Sequence, residues 1–253
     1  MARALFKSWF VDFDPVRAKA EGHDPGLPKH IADLFRDSFE DSELGEIPKG
    51  WGVGTFGDVV ERLRENENPA DSPNLIFRHF SIPAFDHGQS SATEPGAAIK
   101  SQKTRVPPGT ILLSKLNPEI ERVWLLEVGP SERAVCSTEF VVFAPRSPFG
   151  RTYAYCLMRS RGFRRELEGL VTGTSKSHQR MQPEAILRLA TLNPPRTVIG
   201  AFERLTKPLI DRTHECRQEA RMLGALRDAL LPKLVSGTLR VRDAEEFLER
   251  VET

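Results

Sequence analysis

A column of apolar residues spaced seven apart constrains the fold of this chain more than any other feature of the sequence. The column consists of Phe202, Leu209, Cys216, Leu223 and Leu230. A seven-residue repeat sustained over five positions is typical of the seam of a long coiled-coil helix. The pattern predicts one helix over residues 197–234, with Pro208 as an expected kink and Gly237 as its stop. Because an apolar seam is unfavourable in water, this helix needs a packing partner.

The N-terminal segment has a second apolar pattern at helical spacing. Leu5, Phe6, Trp9 and Phe10 recur over residues 2–11, ahead of Pro15. The spacing predicts a helix of about three turns that ends before the proline. So short a helix is unstable alone. We therefore expect other parts of the molecule to cover its aromatic side chains.

Short apolar runs rich in Val, Ile and Phe occupy the middle of the chain. They cover residues 75–80, 109–116, 122–128 and 134–143. These runs favour strands of a mixed or antiparallel sheet, whereas residues 153–170 and 183–189 have helical spacing. A further strand is expected at 51–56, followed by a short helix. The predicted fold class is α+β: one mixed α/β domain followed by a long coiled-coil helix, with a short N-terminal helix in front.

Composition limits the class of protein. At 253 residues, with 39% hydrophobic and 28% charged residues, the chain is long enough to bury a sizeable core. It contains no run of 18 apolar residues, and its N-terminus lacks the features of a signal peptide, so we expect a cytoplasmic protein that does not enter a membrane. Cys136, Cys156 and Cys216 form no Cys-x-x-Cys pair. We interpret them as reduced and structural.

The sequence offers no recognisable place for catalysis, a metal or a cofactor. Its six histidines fall in no metal-ligand spacing, and no Ser-His-Asp arrangement with an elbow motif is visible. The segment "GLVTGTSKS" is not a phosphate loop, because Ser175 rather than glycine precedes Lys176. The segment "NPPR" resembles the Asn-Pro-Pro-aromatic motif of amino-methyltransferases, but Arg196 replaces the aromatic residue. We interpret it as a linker, with a small DNA adenine methyltransferase as the alternative.

Basic residues are concentrated in one region. Residues 145–182 hold eight basic and two acidic side chains, whereas residues 1–50 hold seven basic and ten acidic ones. Within the basic region, the segment "VTGTSKSHQRM" at 171–181 combines glycine, which lets a backbone approach DNA closely, with residue types that contact phosphate and base edges. It is a candidate DNA-contacting loop, and a solvated surface loop is the alternative. The arginines of the preceding helix either face phosphate or only keep that helix soluble. They are Arg159, Arg161, Arg164 and Arg165.

Five segments together resemble the specificity subunit of type I restriction-modification enzymes. They are "ARALFKSWFVDFDPVRAK" at 2–19, "GEIPKGWGVGTFGDVVERLRE" at 45–65, "PPGTILLSKLNPEIERVW" at 107–124, the loop at 171–181 and "LGALRDALLPKLVSGTLRV" at 223–241. The third segment is similar to a characteristic G-D-I-L-L-S-K-L-N-P strand and turn of that family. The resemblance extends over most of the chain and corresponds to the C-terminal half of such a subunit, with a single target-recognition domain.

The resemblance implies a domain division and a set of DNA-contacting residues. Residues 1–30 correspond to the end of a central helix and a connector, 31–195 to the target-recognition domain, and 196–253 to the distal helical region. The implied DNA-contacting residues are Lys115, Asn117, Arg164, Arg165, Thr174, Ser175, Lys176, Ser177, His178, Gln179 and Arg180. No catalytic residue, metal ligand or cofactor is implied.

The resemblance also implies partners. Complete members of the family recognise bipartite double-stranded DNA sites and bind methyltransferase subunits and, through these, restriction subunits. Since this chain has only one recognition domain, its long helix lacks a full-length partner within the chain. We therefore expect a two-fold homodimer through the seam, or pairing with a separate N-terminal half if the chain is a gene fragment. A purely structural coiled-coil adaptor is a further alternative.

Overall fold

The computed structural model describes residues 1–171 and 179–238, which form two compact units that divide between Thr206 and Lys207. The predicted fold class is confirmed: a mixed α/β part with a short helix before it is followed by a long helix. No helix among the described residues is both long enough and apolar enough to cross a membrane. The last short helix that we predicted, at 243–251, lies outside the described residues.

The helices lie mainly at the two ends of the chain. They are α1 (Ala2–Phe10), α2 (Asp14–Ala20), α3 (Lys29–Ala32), α4 (Phe56–Val59), α5 (Ile82–Asp86), α6 (Arg151–Met158), α7 (Arg161–Gly169), α8 (Pro183–Leu187) and α9 (Arg196–Val235). Single 3-10 turns cover Pro69–Asp71 and Gly96–Ala98. Helix α9 continues through Pro208 and ends two residues before Gly237, which has the left-handed φ of 70° expected of a stop.

The strands are short and lie mainly in the middle of the chain. They are β1 (Phe39–Ser42), β2 (Gly45–Pro48), β3 (Gly52–Thr55), β4 (Val60–Leu63), β5 (Asn66–Glu67), β6 (Ile76–Phe80), β7 (Ala92–Pro95), β8 (Lys103–Arg105), β9 (Ile111–Ser114), β10 (Val123–Leu125), β11 (Ala134–Cys136), β12 (Phe140–Pro145) and β13 (Ala190–Asn193). The strand and short helix expected after Trp51 are β3 and α4.

Two sheets enclose the main core. The antiparallel sheet has the strand order β10-β9-β12-β4, and the mixed sheet has the order β5-β8-β11-β6-β7, in which only β11 and β6 run parallel. Leu112, Trp124 and Val142 from the first sheet share one buried cluster with Phe80 and Cys136 from the second. Smaller pairs join β1 to β2 and β13 to β3.

Two predicted elements are each divided in the structure. The apolar run 134–143 forms β11 and β12, which belong to different sheets, because the polar residues between them turn the chain. The helical run 153–170 is divided between α6 and α7. At this break, Ser160 Oγ accepts a hydrogen bond from the backbone N–H of Phe163 at 3.3 Å, so Ser160 caps a new helix.

The aromatic side chains of α1 are covered within the chain, as its short length requires. The ring centroid of Phe10 lies 5.0 Å from that of Tyr153 in α6 and 5.2 Å from that of Phe202 in α9. Trp9 packs edge-on against Phe35 at 5.0 Å. Phe202 is fully buried in this aromatic cluster. Its assignment to an intermolecular seam is therefore wrong, because the side chain already fills the space between α1 and α6.

The later positions of the seven-residue column differ from Phe202. Cys216 and Leu223 are exposed, with 65% of Leu223 accessible to solvent, and Leu209 and Leu230 are half-buried. The neighbouring Met222, Leu231 and Val235 are also exposed. Within the described part of the chain, the second unit thus presents several exposed apolar side chains.

Candidate nucleic-acid interface

The last residues of the predicted DNA-contacting loop, 179–181, which we refer to as the recognition segment, are held by a short backbone ladder. The N–H of Asn117 donates to the carbonyl of Gln179 at 3.0 Å, and the N–H of Met181 donates to the carbonyl of Lys115 at 2.9 Å. Leu116 and Arg180 form the antiparallel bridge between these two bonds. The structure thus brings four predicted site residues together: Lys115, Asn117, Gln179 and Arg180.

The turn after β9 supports this ladder. Ser114 Oγ accepts from the N–H of Leu116 at 3.1 Å and donates to the carbonyl of the same residue at 3.0 Å. Asn117 has a left-handed φ of 51°, a conformation that asparagine adopts more readily than most residues. Its Oδ1 atom is buried and accepts no hydrogen bond from any described residue. The turn therefore holds the Asn117 side chain beside the recognition segment and leaves its Oδ1 atom without a hydrogen-bond donor among the described residues.

Arg180 lies over an acidic residue at the start of β12. Its Nη2 atom donates to Glu139 Oε1 at 2.7 Å, while the carbonyl of Glu139 accepts from the N–H of Lys115 at 2.9 Å. Just over half of the Arg180 side chain remains exposed. Glu139 therefore positions the guanidinium group of Arg180 but leaves about half of the side chain exposed to a ligand.

An arginine-rich cleft of about 340 Å³ lies on α1, α6 and α7. It is lined by Arg3, Glu121, Arg159, Arg161, Arg164, Arg165 and Glu168. Glu121 is its central acceptor: Arg159 bonds it directly, Arg164 Nη1 lies 3.3 Å from its Oε2, and Arg3 Nη2 lies 3.9 Å from the same oxygen. We refer to this set of residues as the arginine cleft.

The two predicted arginines of α7 differ in their surroundings. Arg164 is engaged by Glu121 and also donates from Nη2 to the carbonyl of Glu119 at 2.9 Å. Arg165 is exposed and forms no ion pair with a described residue. Sequence reasoning missed the contribution of Arg3 and Glu121. No local pattern predicts it, because the cleft assembles only when α1 packs beside α6.

A second cavity of about 460 Å³ connects the arginine cleft with the recognition segment. It is lined by Pro118, Glu119, Glu168, Val171 and Gln179. Glu168 lines both cavities. The carbonyl of Glu119 accepts from Arg164 in the arginine cleft, while Asn117, two residues earlier, bonds the backbone of Gln179. The two features are therefore neighbours on one surface.

A third cleft, of about 500 Å³, has the opposite character. Its floor is apolar and includes Phe10 and Tyr153. Its charged lining residues are Glu43, Glu46 and Glu166, and no basic side chain lines it. Carboxylates without basic neighbours repel phosphate. Of the three clefts, the arginine-lined one is the only one suited to a nucleic-acid backbone.

Five predicted contact residues lie outside the described part of the chain. They are Thr174, Ser175, Lys176, Ser177 and His178. Their contact with DNA stays a prediction. Among the described residues, no group of three or more His, Cys, Asp or Glu could hold a metal ion.

The "NPPR" segment lies at a change of secondary structure. Asn193 is the last residue of β13, where it pairs with Gly52, and Arg196 is the first residue of α9. The two prolines between them separate the strand from the helix. This is the position of a linker between two elements.

Two curated proteins match the chain along nearly its whole length. The specificity subunit of the type I restriction enzyme MjaIX from Methanocaldococcus jannaschii is 25% identical over 251 residues, covering 96% of this chain and 53% of the relative. The specificity subunit of the type I restriction enzyme HindI from Haemophilus influenzae is 23% identical and covers 94% of this chain and 61% of the relative. No family model matches the chain.

Solved structures share the fold. The HsdS subunit from Thermoanaerobacter tengcongensis superposes with a TM-score of 0.55 at 18% identity, covering 76% of this chain and 49% of that one. A chain solved in work on assembly and conformational transition of the type I R-M system gives a TM-score of 0.52 at 19% identity and covers 77% and 51%. The predicted resemblance to type I specificity subunits is confirmed. The chain spans about half the length of the curated relatives it matches.

Proposed function

We propose that this chain is a non-catalytic DNA-recognition subunit of a type I restriction-modification enzyme. Its ligand is double-stranded DNA, which places its action in the cytoplasm, and it needs no cofactor. The backbone ladder of Lys115 and Asn117 with Gln179 and Met181, beside the arginine cleft, is the observation that supports this most directly. Phosphate contacts orient a protein on DNA, while base-edge contacts select the sequence.

We assign base reading to the recognition segment. Gln179 offers a paired donor and acceptor that match an adenine edge, and Arg180 offers two parallel donors that match a guanine edge in the major groove. Lys115 and Asn117 support them from the facing turn, and the predicted contacts over 174–178 complete the surface. Residues 31–195 form the target-recognition domain in this proposal, with 1–30 before it and the helical region 196–253 after it.

We also propose the partners. The helical region binds methyltransferase subunits and, through them, restriction subunits. Two copies of the chain pair through the second part of α9, where leaving Leu223 or Leu231 in water costs on the order of 1.5–3 kcal/mol for each side chain. Such a dimer carries two identical recognition domains and therefore prefers an interrupted palindrome.

The proposed function is tested by selection of binding sites from randomised duplex DNA. The chain is incubated alone and with the methyltransferase subunit, and bound DNA is sequenced. We expect enrichment of one interrupted site, with an affinity that falls as salt rises because each phosphate contact releases counterions. Binding of partner proteins without any DNA preference would make the chain a structural adaptor instead. Binding of S-adenosylmethionine by the isolated chain would favour the methyltransferase alternative.

The dimer has its own test. Sedimentation at micromolar concentration is expected to show two copies of the chain. Leu223→Asp should shift the protein to a monomer, since a charge then enters the apolar seam. Gln218→Asp on the same helix adds the same charge and serves as control. A wild-type monomer would rule out the homodimer.

A further inference from the structure

The arginine cleft has more positive charge than its own carboxylates balance. Five arginines line it, against Glu121 and Glu168 only. Residues 172–178 add no negative charge to the sequence, because they contain no Asp or Glu. Guanidinium groups retain their charge at any physiological pH. The cleft therefore attracts an anion.

Three of the five arginines already form ion pairs with Glu121, and two of these donate hydrogen bonds to it. Glu121 accepts from both Arg159 and Arg164, and Arg159 also donates to the hydroxyl of Tyr155. Burial acts to lower the pKa of Arg159, but Tyr155 and Glu121 outweigh it and hold that pKa above its ordinary value. The side chains of Arg159 and Arg164 are about three-quarters buried. This pair forms the floor of the cleft.

Two other arginines are placed to contact a ligand. Arg161 and Arg165 lie four residues apart on α7, are exposed, and form no ion pair with any described residue. Side chains four apart on a helix are neighbours, and like charges at this spacing repel each other. A ligand anion placed between them would relieve the repulsion. Guanidinium forks bind the oxygens of a phosphate through two parallel hydrogen bonds.

We infer that the arginine cleft binds a phosphodiester of the DNA backbone, contacted by Arg161 and Arg165, while Glu121 positions Arg159 and Arg164 beneath it. This inference rests on the proposed function. The source of the phosphate is DNA because the cleft is open and its ligand arginines are exposed, so that affinity must come from several phosphates along a chain. The adjoining cavity, lined by Gln179, places a base-reading residue next to this contact.

The position of Arg164 couples the two contacts. Its bond to the carbonyl of Glu119 attaches α7 to the turn at 117–119, and the N–H of Asn117 is bonded to Gln179. A phosphate held on α7 therefore sets where the recognition segment meets the groove. In this arrangement the arginine cleft orients the DNA, and the recognition segment reads its sequence.

The test measures affinity for the selected DNA site against salt concentration. For Arg161→Gln/Arg165→Gln, we expect the slope of log affinity against log salt to fall by about 1, because one phosphate contact is lost, with the base preference unchanged. Lys29→Gln/Arg36→Gln is the matched control, because it removes two exposed positive charges that do not line the cleft. The melting temperature of both variants should equal that of the wild type.

A second variant shifts binding in the opposite direction. Glu121→Gln removes one carboxylate from the cleft and should raise affinity for every DNA sequence several-fold, although it loosens the floor and lowers the melting temperature. A purely structural role of Glu121 would lower the melting temperature without strengthening DNA binding. Weaker binding by a folded Glu121→Gln protein would overturn the assignment of Arg161 and Arg165 to the phosphate and of Arg159 and Arg164 to the floor of the cleft.

The outcomes separate the cleft from the proposed function. An unchanged salt slope in the double variant, or an equal fall in the control, overturns the phosphate site while sequence-specific binding stands. A wild type that selects no sequence, but whose salt slope depends on Arg161 and Arg165, supports the phosphate site and overturns sequence recognition. A chain that binds no DNA, alone or with the methyltransferase, overturns both.

Discussion

The carboxylate of Glu203 caps a helix that lies fifty residues earlier in the chain. Its Oε1 atom accepts a hydrogen bond from the backbone N–H of Tyr153 at 2.7 Å, at the N-terminal end of α6. No side chain from within α6 satisfies this end of the helix. The first turns of α9 therefore stabilise the helix that ends immediately before Arg159, one of the arginines on the floor of the cleft.

Removal of this cap should destabilise the protein. Glu203→Ala leaves the first N–H groups of α6 without their acceptor, so we expect a loss of about 1–2 kcal/mol in the free energy of unfolding. Urea denaturation measures this loss. Arg204→Ala, at the exposed neighbouring position, should change it by less than about 0.5 kcal/mol. Equal effects of the two substitutions would contradict the capping role.

The carboxylate of Glu203 occupies the space that a side chain at position 150 would fill, so this position requires glycine. A Cβ atom at Gly150 would lie 2.1 Å from Glu203 Cδ, so the carboxylate would have to leave its position on the helix. We expect Gly150→Ala to cost about as much as Glu203→Ala. The double variant should cost little more than either single one, because both act through the same contact. Additive losses in urea denaturation would show two independent causes.

The pH dependence of stability should report on Glu203. Burial raises the pKa of this carboxyl, although the N–H groups of Tyr153 and Thr152 act to lower it. A pKa raised by folding means that the folded protein binds the proton more tightly than the unfolded chain. Protonated Glu203 therefore stabilises the folded state at low pH. This stabilisation is lost as the pH rises from the ordinary carboxyl pKa through the raised pKa of the folded protein.

Glu203→Gln isolates this contribution. The amide keeps a hydrogen-bond acceptor but does not ionise. Across that pH window, the wild type should lose stability relative to the variant, measured as the difference in unfolding free energy at each pH. A difference that is constant with pH would show that the carboxyl titrates equally in the folded and unfolded states.

Truncation to alanine should affect folding stability very differently at two positions of the seven-residue column. Phe202→Ala empties a buried site among Phe6, Phe10 and Tyr153 and should cost about 3–5 kcal/mol of folding stability. Leu223→Ala should change the stability of the single chain by less than about 0.5 kcal/mol, since Leu223 is exposed there. Urea denaturation at low protein concentration distinguishes the two. Comparable losses would mean that Leu223 is packed within its own chain.

Base preference should depend on Gln179 and Arg180. Gln179→Ala is expected to cost about 1–3 kcal/mol for the selected site and to relax the preference at one base pair. Arg180→Ala also uncovers Glu139, whose charge then repels phosphate at every sequence. The double variant Arg180→Ala/Glu139→Gln removes that repulsion. Competition with single-base variants of the site measures preference, and a uniform loss would assign these residues to backbone contacts.

The sequence by itself determined those features that depend on local patterns. The seven-residue column predicted a helix that the structure places at Arg196–Val235, and the apolar runs around Leu112 and Phe77 predicted strands. Periodicity and propensity act within a few turns or one strand, and so they can be read from the order of residues. The motif at 171–181 indicated a candidate DNA-contacting loop that includes Gln179. It did not indicate that this part of the chain pairs with the turn at 115–117.

Only the tertiary structure decided which distant residues meet. Arg3 and Arg159 approach Glu121 because α1 packs beside α6, and Phe202 is buried because the same packing closes around it. The sequence assigned Phe202 to a seam with the leucines that follow it, since all have the same spacing. Burial depends on which surfaces come together in space, and spacing along one helix carries no information about that.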